Sequence, residues 1–231
     1  MAPKPTPCSI AMAELSALQK LLVWLSPAFP VGAFAWSAGL ETVIAQGAMT
    51  DSASTRNWIE GALAHGGLRT DAVLLALAHR AHADTAALRD LADLAAALTP
   101  ASERLAEIET TGEAFTAAAR AWPSDVYARL LQPCPYAIAV GAIAAAHHID
   151  RLETLTAFLT AAVHGQISVA VRLIPLGQTD GLKIMAGLEP LIETVAIAAT
   201  KATLADLGSI AYAADIAQMR HETLETRIFR S

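Results

Sequence analysis

Apolar side chains recur along this chain at intervals of three and four. Leu88, Leu91, Leu94, Ala95 and Leu98 form one such set, and Leu105, Ile108, Gly112, Phe115 and Ala119 form another. At 3.6 residues per turn each set gathers on one face, so both read as amphipathic helices. Val163, Ile167, Val171 and Ile174 follow the same rule. Ile167 to Ile174 is the one place where a strand can be argued, and length favours helix. Boundary signals agree with this periodicity. Thr99 before Pro100 fits an N-cap and a first-turn proline, and Asp150 with Glu153 fits a capping box. Gly66-Gly67 separates a helix around Trp58 to Leu63 from one around Asp71 to His82, and Pro123, Pro133 and Pro135 punctuate between helices. Pro190 falls inside an otherwise helical stretch, Leu182 to Ala199, which predicts a kink or break near Glu189. No repeat of fixed period is visible. The predicted fold is all-α, a compact single-domain bundle of about nine or ten helices.

The periodicity fails between Trp24 and Glu41, where the chain reads WLSPAFPVGAFAWSAGLE. Pro27 and Pro30 each lack a backbone donor and disfavour helix in the residue before them, so the chain turns there. Trp24, Phe29, Phe34 and Trp36 are four of the twelve aromatic residues in the protein. An irregular segment carrying that much aromatic area buries it in its own core, as a kinked connection, or in a partner.

Composition narrows the choice of function. Charged residues make up 16% of the chain, against about 25% in typical soluble domains, while 54% is hydrophobic. That excess leaves apolar surface for partners, or is alanine on exposed helix faces. No run approaches the roughly 18 to 20 apolar residues of a membrane span: Ala137 to Ala146 stops at His147 and His148, and the next is interrupted by His164, Gln166 and Arg172. Residues 1–13 lack the continuous apolar block of a secretory signal and read as a loose tail, so a cytoplasmic location is the default. Two cysteines, Cys8 and Cys134, make no disulfide framework. A net charge of −6 with singly scattered basic residues argues against a nucleic-acid surface.

Familiar catalytic chemistry is missing. There is no glycine-rich loop ending in Gly-Lys-Ser/Thr, no Gly-x-Ser-x-Gly elbow and no His-Glu-x-x-His, since His221-Glu222 is followed by Thr223, Leu224 and Glu225. A small helical hydrolase would need polar groups gathered in a pocket, and nothing advertises them. No catalytic residue, cofactor or metal site is expected. The rival reading is a nickel-binding metallochaperone using His79 and His82, three apart on one helix face. His147 and His148 read instead as favourable cations at a helix C-terminus, and Cys134 as a lone thiol. His164, Ser168 and Arg172, at i, i+4 and i+8, draw a polar line beside an apolar stripe.

The carboxyl end carries more. Ile216, Met219 and Arg220 fall on one side of a helix too short to be stable unaided, and Ile228 and Phe229 stand between Arg227 and Arg230. Such an end gains by ordering against something else.

Four stretches, in order, resemble one family. PVGAFAWSAGLE (30–41) resembles the amino-terminal signature of the UreF family of urease accessory proteins, with Ala35 where that family generally has Ser. PYAIAVG (135–141), VRLIPLGQTDG (171–181) and MRHETLETRIFRS (219–231) resemble its later motifs, Glu225, Thr226 and Ile228 replacing its usual Tyr, Ser and Leu. The resemblance implies a non-enzymatic assembly factor that binds UreD/UreH, recruits the GTPase UreG and helps load nickel into the urease apoprotein, as a homodimer. It implies a helical domain over 14–214 and a partner-binding tail over 215–231. Phe34, Trp36, Ser37 and Gly39 in the first motif, with Arg220, His221, Glu222, Arg227 and Phe229 in the tail, would face UreD/UreH. The tail would become ordered against that partner, with Arg227 as hydrogen-bonding anchor and Phe229 as plug. Glu41 and Arg172 would face UreG, and Gln178, in the neighbouring motif, is a further partner-binding residue.

Overall fold

The most apolar segment organises the molecule. In a computed structural model, which describes residues 7–231 with side chains from Glu14 onward, α7 (Tyr136–Ala146) has every residue from Ala137 to Ala145 buried. A helix apolar on all sides must be surrounded. Its neighbours are α4 (Gly67–Arg80), α6 (Ser102–Ala119), α5 (Thr85–Ala97) and α8 (Arg151–Leu173). Gly141 is where α4 comes closest: a Cβ there would lie 2.3 Å from the Leu75 carbonyl oxygen. Only a residue without a side chain admits that approach.

Around this axis, α8 packs against α9 (Gln178–Lys201), and α3 (Ser52–His65) bridges α9 and α4. The remaining helices are α1 (Pro7–Trp24), α2 (Leu40–Ala45) and α10 (Tyr212–His221), and α10 lies on α2 and α6. Ten α-helices and no strand occur among the described residues, with one continuous hydrophobic core. The all-α single-domain expectation holds, and Ile167 to Ile174 belongs to α8 up to Leu173. The predicted stripes face inward over most of their length: Leu88, Leu91 and Ala95 are buried in α5, and Ile108, Gly112, Phe115 and Ala119 in α6, while Leu98, at the end of the first stripe, is exposed.

Several local expectations are corrected. Thr99 does not cap α6. Its hydroxyl donates to the Ala95 carbonyl at the end of α5 (2.8 Å), and α6 begins at Ser102 after an uncapping Ala101. Asp150 does cap α8, accepting the N–H of Leu152 and Glu153. Pro190 does not break α9, which is assigned as one 24-residue helix. Ile184, Leu188, Ile192 and Val195 bury one face of it on both sides of the proline, so tertiary packing carries the helix past the missing hydrogen bond. His147 is no helix-end cation: burial lowers its pKa, and its ring lies edge-on to Trp24. His79 donates to the Ile149 carbonyl (2.9 Å) and joins α4 to the turn after α7. α8 is 23 residues long, and an 18-residue window of it reaches a mean hydropathy of 1.4, so by length and composition it meets a membrane-span criterion that the sequence reading did not credit to it. Its Leu155, Phe158, Leu159, Val163 and Ile167 are buried in the bundle. The expected tail over 1–13 lies outside the residues described with side chains, and of these 7–13 run in α1.

The aromatic segment divides its residues. Trp24 and Phe29 enter the core, where Trp24 meets Phe115, Trp122 and His147 edge-on at centroid distances of 6.1, 5.5 and 5.4 Å. Phe29, Tyr136 and Phe158 extend the cluster. Trp36 is buried elsewhere, and Phe34 is 71% exposed.

Candidate partner-docking site

The turn after Trp36 sets the site. Ala38 and Gly39 both take positive φ (53° and 83°), reversing the chain so that α2 starts at Leu40. Gly39 is needed twice over: for that φ, and because a Cβ would lie 2.9 Å from the backbone nitrogen of Gln218 on α10. This close seating brings the next acid, Glu41, to the end of α10.

Glu41 is buried but fully partnered. Its Oε2 accepts from His221 Nε2 (3.0 Å) and from the Phe229 N–H (3.0 Å), and its Oε1 accepts the Ile228 N–H (2.7 Å). Burial by itself would push its carboxyl up; the bonds from His221, Ile228 and Phe229 outweigh that and hold it below its ordinary value. The other edge of the His221 ring faces Glu103 of α6, with Nδ1 2.6 Å from Oε2. The two carboxylates take opposite edges of one imidazole, so they do not converge as ligands of an ion would. Among the described residues no group of three or more His, Cys, Asp or Glu is placed to hold a metal.

The last residues close over this pair. Arg227 donates to Glu103, the Arg230 N–H to the Ala35 carbonyl (2.8 Å), and the Ser37 N–H to the Ser231 carbonyl (2.8 Å). The Ser37 hydroxyl donates to that same carbonyl, and the Ser231 hydroxyl to Glu107 (3.0 Å). Phe229 is buried under the Arg172 guanidinium, and Arg230 covers the Trp36 ring at 5.1 Å. Glu222 accepts the N–H and the hydroxyl of Ser102 (2.8 Å each), giving α6 the acid that its own N-cap lacks. Those bonds hold the Glu222 carboxyl below its usual range.

Beside the clamp lies an open cavity of about 540 Å³, lined by Phe34, Trp36, Tyr136, His164, Ser168 and Arg172 among others. The polar line of α8 therefore borders a hollow. Within its lining Arg104 bridges Asp71 (2.8 Å) and Glu107 (2.7 Å). Burial pushes the Asp71 carboxyl up against the pull of Arg104. Around the clamp apolar side chains remain uncovered: Tyr212, Ile216 and Met219, at i, i+4 and i+7, form the outer face of α10, and Ile228 is 75% exposed. Leu15, Leu18 and Leu22 form a second exposed face on α1.

The UreF family model matches residues 49–189. The urease accessory protein UreF of Rhizobium etli is 49% identical over 218 residues, covering 94% of this chain and 98% of its own. Those of Agrobacterium fabrum and Rhodopseudomonas palustris are 48% and 46% identical over 96% and 100% of this chain and 99% and 98% of their own. The chain belongs to the UreF family.

In this UreF-family chain the fold brings together most of the residues singled out from sequence, but in roles partly different from those expected. Ser37, Gly39, Glu41, His221, Glu222, Arg227 and Phe229 hold the tail against the bundle. Glu41 does not face outward, because a carboxylate accepting three donors is most stable enclosed with them. In this chain Phe229 and Ser231 are buried against their own bundle, and the Glu41 carboxylate accepts the N–H groups of Ile228 and Phe229. Phe34 and Arg172 are exposed beside the cavity, Arg172 donating to the Phe34 carbonyl (3.3 Å), and Arg220 is exposed in the last turn of α10. Gln178 is exposed at the first residue of α9, and none of the clamp's hydrogen bonds reaches it. Sequence reasoning missed Glu103, Glu107, Asp71 and Arg104. The signal available was a pair of acids four apart on the helix carrying the Phe115 stripe, but apart from Arg104 beside Glu107 their partners stand 118 to 124 residues away.

Proposed function

We propose that this chain works in urease maturation as a non-enzymatic assembly factor, bridging UreD/UreH and the GTPase UreG, as a homodimer, while nickel is inserted into the urease apoprotein. Membership of the UreF family over nearly the whole chain supports the accessory role. The observation that carries a contact mechanism is the exposed apolar face of α10, Tyr212, Ile216 and Met219, next to the motif-bearing tail. An uncovered stripe of that kind gains free energy by burial in a partner. The α10 face and the exposed Phe34 and Ile228 meet UreD/UreH; Arg172, a charged group beside the cavity, meets UreG and orients it.

The test is co-purification of UreD/UreH and UreG with the intact chain, with Ile216→Glu/Met219→Glu, and with Arg172→Ala. The double variant is expected to lose UreD/UreH at least tenfold while keeping its helical circular dichroism, and Arg172→Ala to lose UreG and urease activation. Wild-type recovery of both partners by both folded variants refutes the assignment.

A further inference from the structure

We propose that Met219 is an oxidation site, and that a peroxide acting on its thioether switches off the docking face of α10. The seating of α10 decides which way this side chain points. Ala217 is buried and the backbone of Gln218 lies against Gly39, so those positions are held inward. Tyr212, Ile216 and Met219 then face outward, at exposures of 71%, 46% and 45%. Tyrosine and isoleucine in such a stripe offer contact area alone. Methionine adds a sulfur atom that an oxidant changes from apolar to polar.

The other sulfur atoms described with their side chains are less open. Met49 is 1% exposed, and Met185 is half-buried against the core. Cys134 is buried, and desolvation pushes its thiol up to about 12, so the reactive thiolate is scarce. A small peroxide arriving from water therefore meets Met219 before these three. The Met219 sulfur donates an electron pair to one oxygen of hydrogen peroxide and the O–O bond breaks. The departing hydroxide takes the proton left on the new S–OH group, which gives a sulfoxide and water. Sulfur loses two electrons and the peroxide gains them. On the free chain the new S=O group is hydrated, and the core does not feel it. Buried in an apolar interface, it loses that water with no donor in return. The consequence for docking rests on the function proposed above; the site of oxidation is a property of the isolated chain.

Both are read on a Cys8→Ser chain, so that no amino-terminal thiol takes part. Limited hydrogen peroxide is expected to place one oxygen on the tryptic peptide 202–220, whose single methionine is Met219, before Met49 or Met185 gains one, with helical circular dichroism unchanged. Recovery of UreD/UreH is expected to fall about tenfold and to return after treatment with methionine sulfoxide reductases A and B. With Met219→Leu added, recovery is expected to be the same before and after peroxide, measured against that variant's own untreated sample. Earlier oxidation of Met49 or Met185, or undiminished recovery by a chain oxidised at Met219, overturns the inference and leaves the docking face standing. An untreated chain that recovers no UreD/UreH overturns the docking reading, and the switch with it. Where Met219→Leu binds too weakly to compare, the reductases decide: a loss that they do not reverse overturns the switch.

Discussion

At the scale of single residues, the motif positions are explained by what touches them. Gly141 is required by the carbonyl of Leu75, and Gly141→Ala is expected to cost about 3 kcal/mol, read as a lower urea midpoint at unchanged slope, since a backbone atom 2.3 Å away cannot rotate aside. Cys134 is buried between its prolines, and desolvation pushes its thiol up to about 12. In a Cys8→Ser background the native protein should therefore resist a thiol reagent at neutral pH and react with one equivalent on unfolding. Sequence singled out Gly39, Glu41 and His221 but not the contact between the last two, because a lone acid after a glycine turn reads alike whether it points to water or to a histidine 180 residues away.

At the scale of elements, the shortest pieces depend most on their surroundings. α2 has six residues and α10 has ten, both below the length at which a helix holds itself, and each is seated on the other. The tail follows their fate. The Glu41 carboxyl is held below its ordinary value in the folded chain, so its contribution is fully present above about pH 4.5, the ordinary glutamate range, and is lost as pH falls through the lowered value. Acid titration followed by amide exchange is thus expected to release 227–231 before α7, with docking intact at pH 5. A tail still protected when α7 opens contradicts this. The long amphipathic helices were legible from spacing because their faces are set by local period. Pro190 misled because a helix buried on one face along 24 residues tolerates a single lost hydrogen bond.

For the whole molecule, one cation ties the parts together. Arg104 spans Asp71 of α4 and Glu107 of α6, and Glu107 in turn accepts from Ser231. Burial alone would lower the Arg104 pKa; the two acids outweigh it and hold it above its ordinary value. Arg104→Met leaves those carboxylates facing each other with little solvent and is expected to cost about 3 kcal/mol in thermal or urea unfolding, with the tail loosened as well. Substitution of the exposed pair Arg56 and Glu60 by alanine should change the same midpoint by under about 1 kcal/mol. By itself the sequence determined the helical class, the apolar faces, the apolar run from Ala137 to Ala146 and the family, because periodicity, composition and ordered motifs are properties of neighbours along the chain. Only the tertiary structure decided that Glu41, Glu103 and His221 meet, that the last five residues lie on their own bundle, and that Phe34 alone of its aromatic segment stays mostly exposed. Hydrogen bonds between residues more than a hundred positions apart leave no local period to read.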